Sequence, residues 1–139
     1  MKRVFLFAAT IISLVRISNA QPTVGLTAYT VGNSDGYVLF SPMLSTETYL
    51  INKCGEKVHE WNTSSFHPAL STYLLNDGSL LRTGQLNNPT FNYGGSGGIV
   101  ERFDWDGTLL WSYSISDSFS CMHHDVTELP NGNLLCIVW

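Results

Sequence analysis

The chain has 139 residues, with seven Lys and Arg against eleven Asp and Glu, for a formal net charge of −4. That length suits one small domain. An acidic chain with no basic patch excludes the phosphate-backbone contacts that nucleic-acid binding requires.

Residues 1–20 read as a signal peptide. Lys2 and Arg3 form a positive end, residues 4–15 are mostly apolar, and Ser18-Asn19-Ala20 offers the small residues of a cleavage site. The apolar run is shorter than the roughly 20 residues that span a bilayer. An uncleaved anchor is the alternative. Removing this segment leaves four basic residues against eleven acidic ones, a net charge of −7. A secreted or periplasmic location follows, with no membrane partner after cleavage.

Residues 21–35 are small, polar and turn-prone, and read as a lead-in loop. Strands are expected at 36–41, stopped by Pro42, then at 48–51 and 57–61, the last alternating polar and apolar. Further strands are expected at 72–75 and 79–82 around the turn Asn76-Asp77-Gly78. A long Asn- and Gly-rich loop, 84–98, ends in Gly94-Gly95-Ser96-Gly97-Gly98 and reads as slack between strands. Strands at 99–103 and 108–113 then flank Asp104-Trp105-Asp106-Gly107, a plain turn lacking the length and downstream Glu of a calcium loop. The chain closes on Met122-His123-His124-Asp125, strands at 127–129 and 134–138, and the turn Pro130-Asn131-Gly132 between them. Both histidines are placed just before the strand, at the start of that hairpin. Because the chain stops on Trp139 inside an apolar strand, it reads as the front part of something longer.

Few segments read as helix, and the strands repeat. Gly55 is matched by Gly107, 52 positions later, and residues 75–81 by 129–135, 54 positions later. Two hairpins per period of about fifty is the pattern of β-propeller blades. The expected fold is therefore all-β: an incomplete propeller over 36–139, with one full four-stranded blade and two partial ones. Such blades bury their faces only against neighbours. In an exported chain one disulfide is permitted, and Cys121 with Cys136 is the expected pair among three cysteines.

The innermost strand of a propeller blade lines its central channel, which makes His123 and His124 the catalytic candidates. Successive strand residues face opposite ways, so one ring is expected to look inward and the other to pack. Asp125 can hold a histidine Nδ1–H so that Nε2 stays free as nucleophile or base. Two structural histidines are the plainer alternative, and no metal-ligand spacing is present. His67, beside Pro68, occupies the corresponding place in the earlier repeat and is the candidate for substrate contact, packing being the alternative. His59 is expected to be exposed, Arg82 and Arg102 solvated or edge-protecting, and Trp61, Trp105 and Trp111 wedged between blades or stacked on a ligand.

Three stretches together carry a family resemblance. They are Asp35-Gly36-Tyr37-Val38-Leu39-Phe40-Ser41-Pro42; Thr48-Tyr49-Leu50-Ile51-Asn52-Lys53-Cys54-Gly55 with Val58-His59-Glu60-Trp61; and His123-His124-Asp125 through Leu129-Pro130-Asn131-Gly132-Asn133 to Trp139. Over residues 36–139 the chain resembles the secreted arylsulfate sulfotransferases. The resemblance implies a six-bladed propeller that moves a sulfuryl group from a phenolic sulfate ester to a phenol, with no nucleotide donor and no cofactor. It implies a sulfohistidine intermediate, with further histidines and an arginine steadying the sulfate oxygens. His123 or His124 matches the first channel-histidine segment; whether the sulfated residue is one of them or follows Trp139 stays open. Little or no turnover is expected of these 139 residues alone, because the channel cannot close. A non-catalytic propeller binding a glycan or a protein is the second reading.

Overall fold

The computed structural model describes Thr30, Gly32 and residues 35–139. The segment read as a signal peptide and most of the lead-in loop lie outside them. Among the described residues there are nine strands, no helix and no closed barrel. β1 (Tyr37–Phe40), β2 (Thr48–Asn52) and β3 (Lys57–Trp61) form the first sheet. β4 (Pro68–Leu74), β5 (Leu80–Gln85), β6 (Gly98–Phe103) and β7 (Leu109–Ser114) form the second, and β8 (Met122–Glu128) with β9 (Leu134–Val138) the third. Every neighbouring pair is antiparallel.

Four hairpins share one turn. In each, a glycine N–H donates three residues back, as from Gly78 to Leu75 O at 3.0 Å and from Gly132 to Leu129 O at 2.8 Å. Gly55, Gly78, Gly107 and Gly132 all have φ between 78° and 84°, where a Cβ is costly. Asn131 is not among the positive-φ residues, so the Asn-Gly pair makes a turn with one left-handed residue rather than two.

The repeat seen in the sequence is reproduced in the pairing registers. Between β2 and β3 the register slips after Leu50, and between β6 and β7 after Arg102, 52 positions later. Pro68 pairs Gly84 and Thr72 pairs Arg82; Met122 pairs Val138 and Val126 pairs Cys136, all four displaced by 54.

Strand alternation sends neighbouring side chains of the second sheet to opposite neighbours. Leu80 and Phe103 pack with Leu50, Trp61 and Leu39 of the first sheet. Leu81 and Val100 pack with Met122 and Val126 of the third. Each such side chain contributes about 1.5–3 kcal/mol of hydrophobic stabilisation. The middle sheet is thus covered on both faces. Where the first two sheets meet, His59 stacks on Trp105 with ring centroids 4.1 Å apart, and its Nε2 donates to Trp105 O at 2.7 Å. Trp61 Nε1 donates to Asp104 O at 2.9 Å. His59 is therefore half-buried in an aromatic wedge rather than exposed.

Neither arginine is solvated as expected. Arg82 is 1% exposed and donates to Thr46 O at 2.9 Å and Phe66 O at 3.0 Å. Arg102 joins Ser79 Oγ, Asp77 and Glu128, and so ties the second sheet to β8. The Ser79 hydroxyl and amide, then Arg102, lower the Asp77 pKa from 3.8 to about 2. A lowered carboxyl pKa stabilises the fold above the ordinary value, and that contribution disappears as pH falls through the folded one. The urea midpoints of the protein and of Asp77→Asn should therefore differ at neutral pH and converge as pH drops towards about 2. A gap that stays constant would show that the carboxylate has no folded-state partner.

The expected disulfide is absent: all three cysteines are free. Cys121 exchanges backbone hydrogen bonds with Trp139, whereas Cys136 lies opposite Val126. Three residues of strand, about 10 Å at ~3.3 Å each, separate their levels. A disulfide tolerates at most about 7 Å between Cα atoms.

Candidate functional site

The site is built on an irregularity of β8. Between the Met122–Val138 and Val126–Cys136 pairs, four steps of β8 are matched by two of β9. His123, His124 and Asp125 occupy this bulge, inside the strand and not ahead of it. Bulges bend the chain and re-aim side chains. Here the alternation expected of the histidines is broken, and their rings lie 4.3 Å apart at 54°.

The glycine segment read as slack covers the pair. Ser96 forms a bridge with His123, and Gly97 N donates to Met122 O at 3.0 Å. A Cβ at Gly95 would lie 2.5 Å from His123 Cε1 and 3.0 Å from His124 Nδ1. A side chain there would have to displace both rings. The Gly95 φ of +89° adds its own preference for glycine.

On its other side His123 meets the edge of Trp139 at 4.5 Å, and Trp139 stacks on Phe91 at 6.3 Å. Thr83 Oγ1 donates to His124 O at 2.7 Å and fixes the bulge to β5. His124 Nδ1 is shielded from solvent and has no hydrogen-bond partner among the described residues. An imidazole so placed has a ring nitrogen whose bonding capacity is unused.

Asp125 does not hold a histidine. Its Oδ1 accepts from Tyr73 OH at 2.7 Å, Ser71 Oγ at 2.8 Å and Val126 N at 2.9 Å. Tyr73 and then Ser71 keep its carboxyl below the usual carboxylate range, and the Tyr73 hydroxyl is raised in turn by Asp125. Two hydroxyls of β4 reach the carboxylate, so Asp125 pins β8 to β4 and braces the bulge from outside. His67 is exposed and stands one residue ahead of β4, in register with Cys121 rather than with either histidine. The site gathers His123 and His124, places Asp125 beside them in a bracing role, and leaves His67 apart.

Sequence reading missed Gly95, Thr83, Ser71 and Tyr73. The 54-residue displacement carries the missing signal. It sets Ser71 against Asp125 and Leu70 against His124, and β4 carries the same two-residue slip between Pro68 and Thr72.

Beside the site, Gln85, Asn87, Asn88, Phe91 and Asn92 line a cleft of about 450 Å³ that reaches Ser96. Among the described residues no three His, Cys, Asp or Glu side chains come together to hold a metal ion. Comparison of the chain with protein-family models, curated proteins and solved structures finds no match.

Proposed function

We propose that the chain is part of an exported β-propeller in which the His123–His124 pair transfers a sulfuryl group from a phenolic sulfate ester to a phenol. The observation that carries the chemistry is the convergence of two half-buried imidazoles in a braced bulge, one with an uncommitted nitrogen. Support for the propeller comes from three stacked antiparallel sheets that repeat at 52 and 54 residues, with β4 against both β1 and β8. Support for export comes from the composition of residues 1–20.

One imidazole nitrogen attacks sulfur, an N–S bond forms, and the S–O bond to the aryl group breaks as phenolate leaves with the electron pair. The acceptor phenol oxygen then attacks sulfur, the N–S bond breaks, and the acceptor's proton passes to the phenolate or to solvent. In this reading the neighbouring imidazole donates to a sulfate oxygen as charge builds there. Both steps conserve charge and need no cofactor.

The test is release of phenol from a chromogenic aryl sulfate, with the sulfuryl group sought on histidine by mass spectrometry. Label on His123 or His124, lost in the His123→Asn and His124→Asn double variant, is the expected result. An aryl sulfate left intact by this chain, both alone and extended by further four-strand repeats, would remove the reading. A second reading, a non-catalytic glycan-binding propeller, draws on the amide-lined cleft beside the Phe91–Trp139 stack. It predicts glycan binding that the histidine substitutions leave unchanged.

A further inference from the structure

Two asparagines have a hydroxyl residue two positions on, the spacing of an N-linked sugar acceptor: Asn62 in Asn62-Thr63-Ser64 and Asn88 in Asn88-Pro89-Thr90. Proline in the middle disqualifies the second. Burial disqualifies it again. Asn88 is 6% exposed, its Nδ2 donates to Ser116 Oγ and Asp117 O, and its Oδ1 accepts from Thr90 N and Phe91 N, all at 2.9 Å. That amide has no capacity left for a new bond.

Asn62 meets the opposite conditions. It is exposed, it lies outside the strands in the connection from β3 to β4, and its side chain has no hydrogen-bond partner among the described residues. The connection is held by its neighbours instead. Trp61 Nε1 donates to Asp104 O at 2.9 Å, and Ser64 Oγ donates to Glu101 Oε2 at 2.7 Å. Thr63 lies against the next hairpin turn, where a Cβ on Gly107 would meet its Cγ2 at 3.3 Å. The backbone is fixed on both sides of an amide that is free.

We propose that Asn62 is the attachment point of an N-linked oligosaccharide. The inference rests on the export reading of residues 1–20 and not on any catalytic role for the histidines. Asn62 Nδ2 attacks the anomeric carbon of a lipid-diphosphate-linked oligosaccharide. A C–N bond forms, the C–O bond to the diphosphate breaks with its electron pair leaving on the lipid diphosphate, and the amide gives up one proton. In the folded chain the Ser64 hydroxyl is committed to Glu101, so the transfer belongs to the passage through the export route, before that bond forms. The sugar stands at the end of β3, the edge strand of the first sheet, where Val58 is 46% exposed. Unpaired edges invite pairing with another chain, and a bulky hydrophilic group beside one opposes it.

The test is expression in a secretory animal cell line of the chain with residues 1–20 and of a form carrying a proven secretory leader in their place. Peptide-N-glycosidase releases the sugar and leaves aspartate, so mass spectrometry should read a loss of mass with aspartate at position 62. Asn62→Gln and Ser64→Ala should show no such loss, and Ser64→Thr, which keeps the acceptor spacing, should show it. Asn62→Gln should also keep the thermal midpoint of the enzymatically stripped chain, because the side chain it replaces bonds to nothing. A bare Asn62 on both secreted forms would overturn the proposal. Sugar found only behind the substituted leader would uphold the acceptor site and remove export by residues 1–20.

Discussion

Arg82→Ala is expected to cost about 2–5 kcal/mol, because two carbonyls lose a charged donor at about 1–3 kcal/mol each. Small domains are stable by only about 5–15 kcal/mol, so the variant should be close to unfolded at ambient temperature. The guanidinium lies between the first and second sheets and satisfies the carbonyls of Thr46 and Phe66. Its register partner on β6, Glu101, is 4% exposed and accepts from Ser64 Oγ at 2.7 Å. Burial pushes the arginine pKa down, while Glu101 opposes that shift. Truncation would leave the Thr46 and Phe66 carbonyls without their donor. Arg82→Lys keeps a cationic donor for one of the carbonyls and should lose less than Arg82→Ala, as read from urea midpoints. A loss below about 1 kcal/mol in Arg82→Ala, within reach of one ordinary hydrogen bond, would show that the arginine is not a structural tie.

The second large effect is expected at Gly95. Gly95→Ala forces a side chain into a left-handed backbone, at about 1–2 kcal/mol, and drives a Cβ into His123 at 2.5 Å. Overpacking of this kind adds about 1–3 kcal/mol. Both imidazoles should move, because the same Cβ would also lie 3.0 Å from His124 Nδ1. Two-dimensional NMR of the ring carbons should show both histidine resonances displaced, together with a lowered thermal midpoint. Gly94→Ala supplies the control: nothing lies within 4 Å of its Cβ. Rings that stay put in Gly95→Ala would remove the glycine segment from the site.

Much of the architecture is legible in the residues. β3 and β9 lie at the bounds read from alternation and apolar runs, and each hairpin turn falls on its glycine. Alternation fails where the chain departs from a two-residue period. The bulge in the first half of β4 and of β8 breaks the two-residue pattern, so alternation does not extend those strands to Pro68 or to the histidines. Alternation also cannot assign Arg82 or Arg102, since a sheet covered on both faces has no solvent side to send a charge to. Adjacency in sequence links Asp125 to a histidine, but its partners, Ser71 and Tyr73, lie more than fifty residues away. Long-range pairing of that kind leaves no local trace. The histidine pair itself was visible as a motif; its geometry was not.

The two-residue slip occurs twice, in β4 around Leu70 and in β8 around His124. A scaffold that reproduces one irregularity in successive copies separates shape from reactivity. The contour recurs, and two positions of it, Ala69 and Leu70 in β4 against His123 and His124 in β8, decide whether it displays hydrocarbon or imidazole. New chemistry can then be acquired one unit at a time while the remaining units keep the architecture intact.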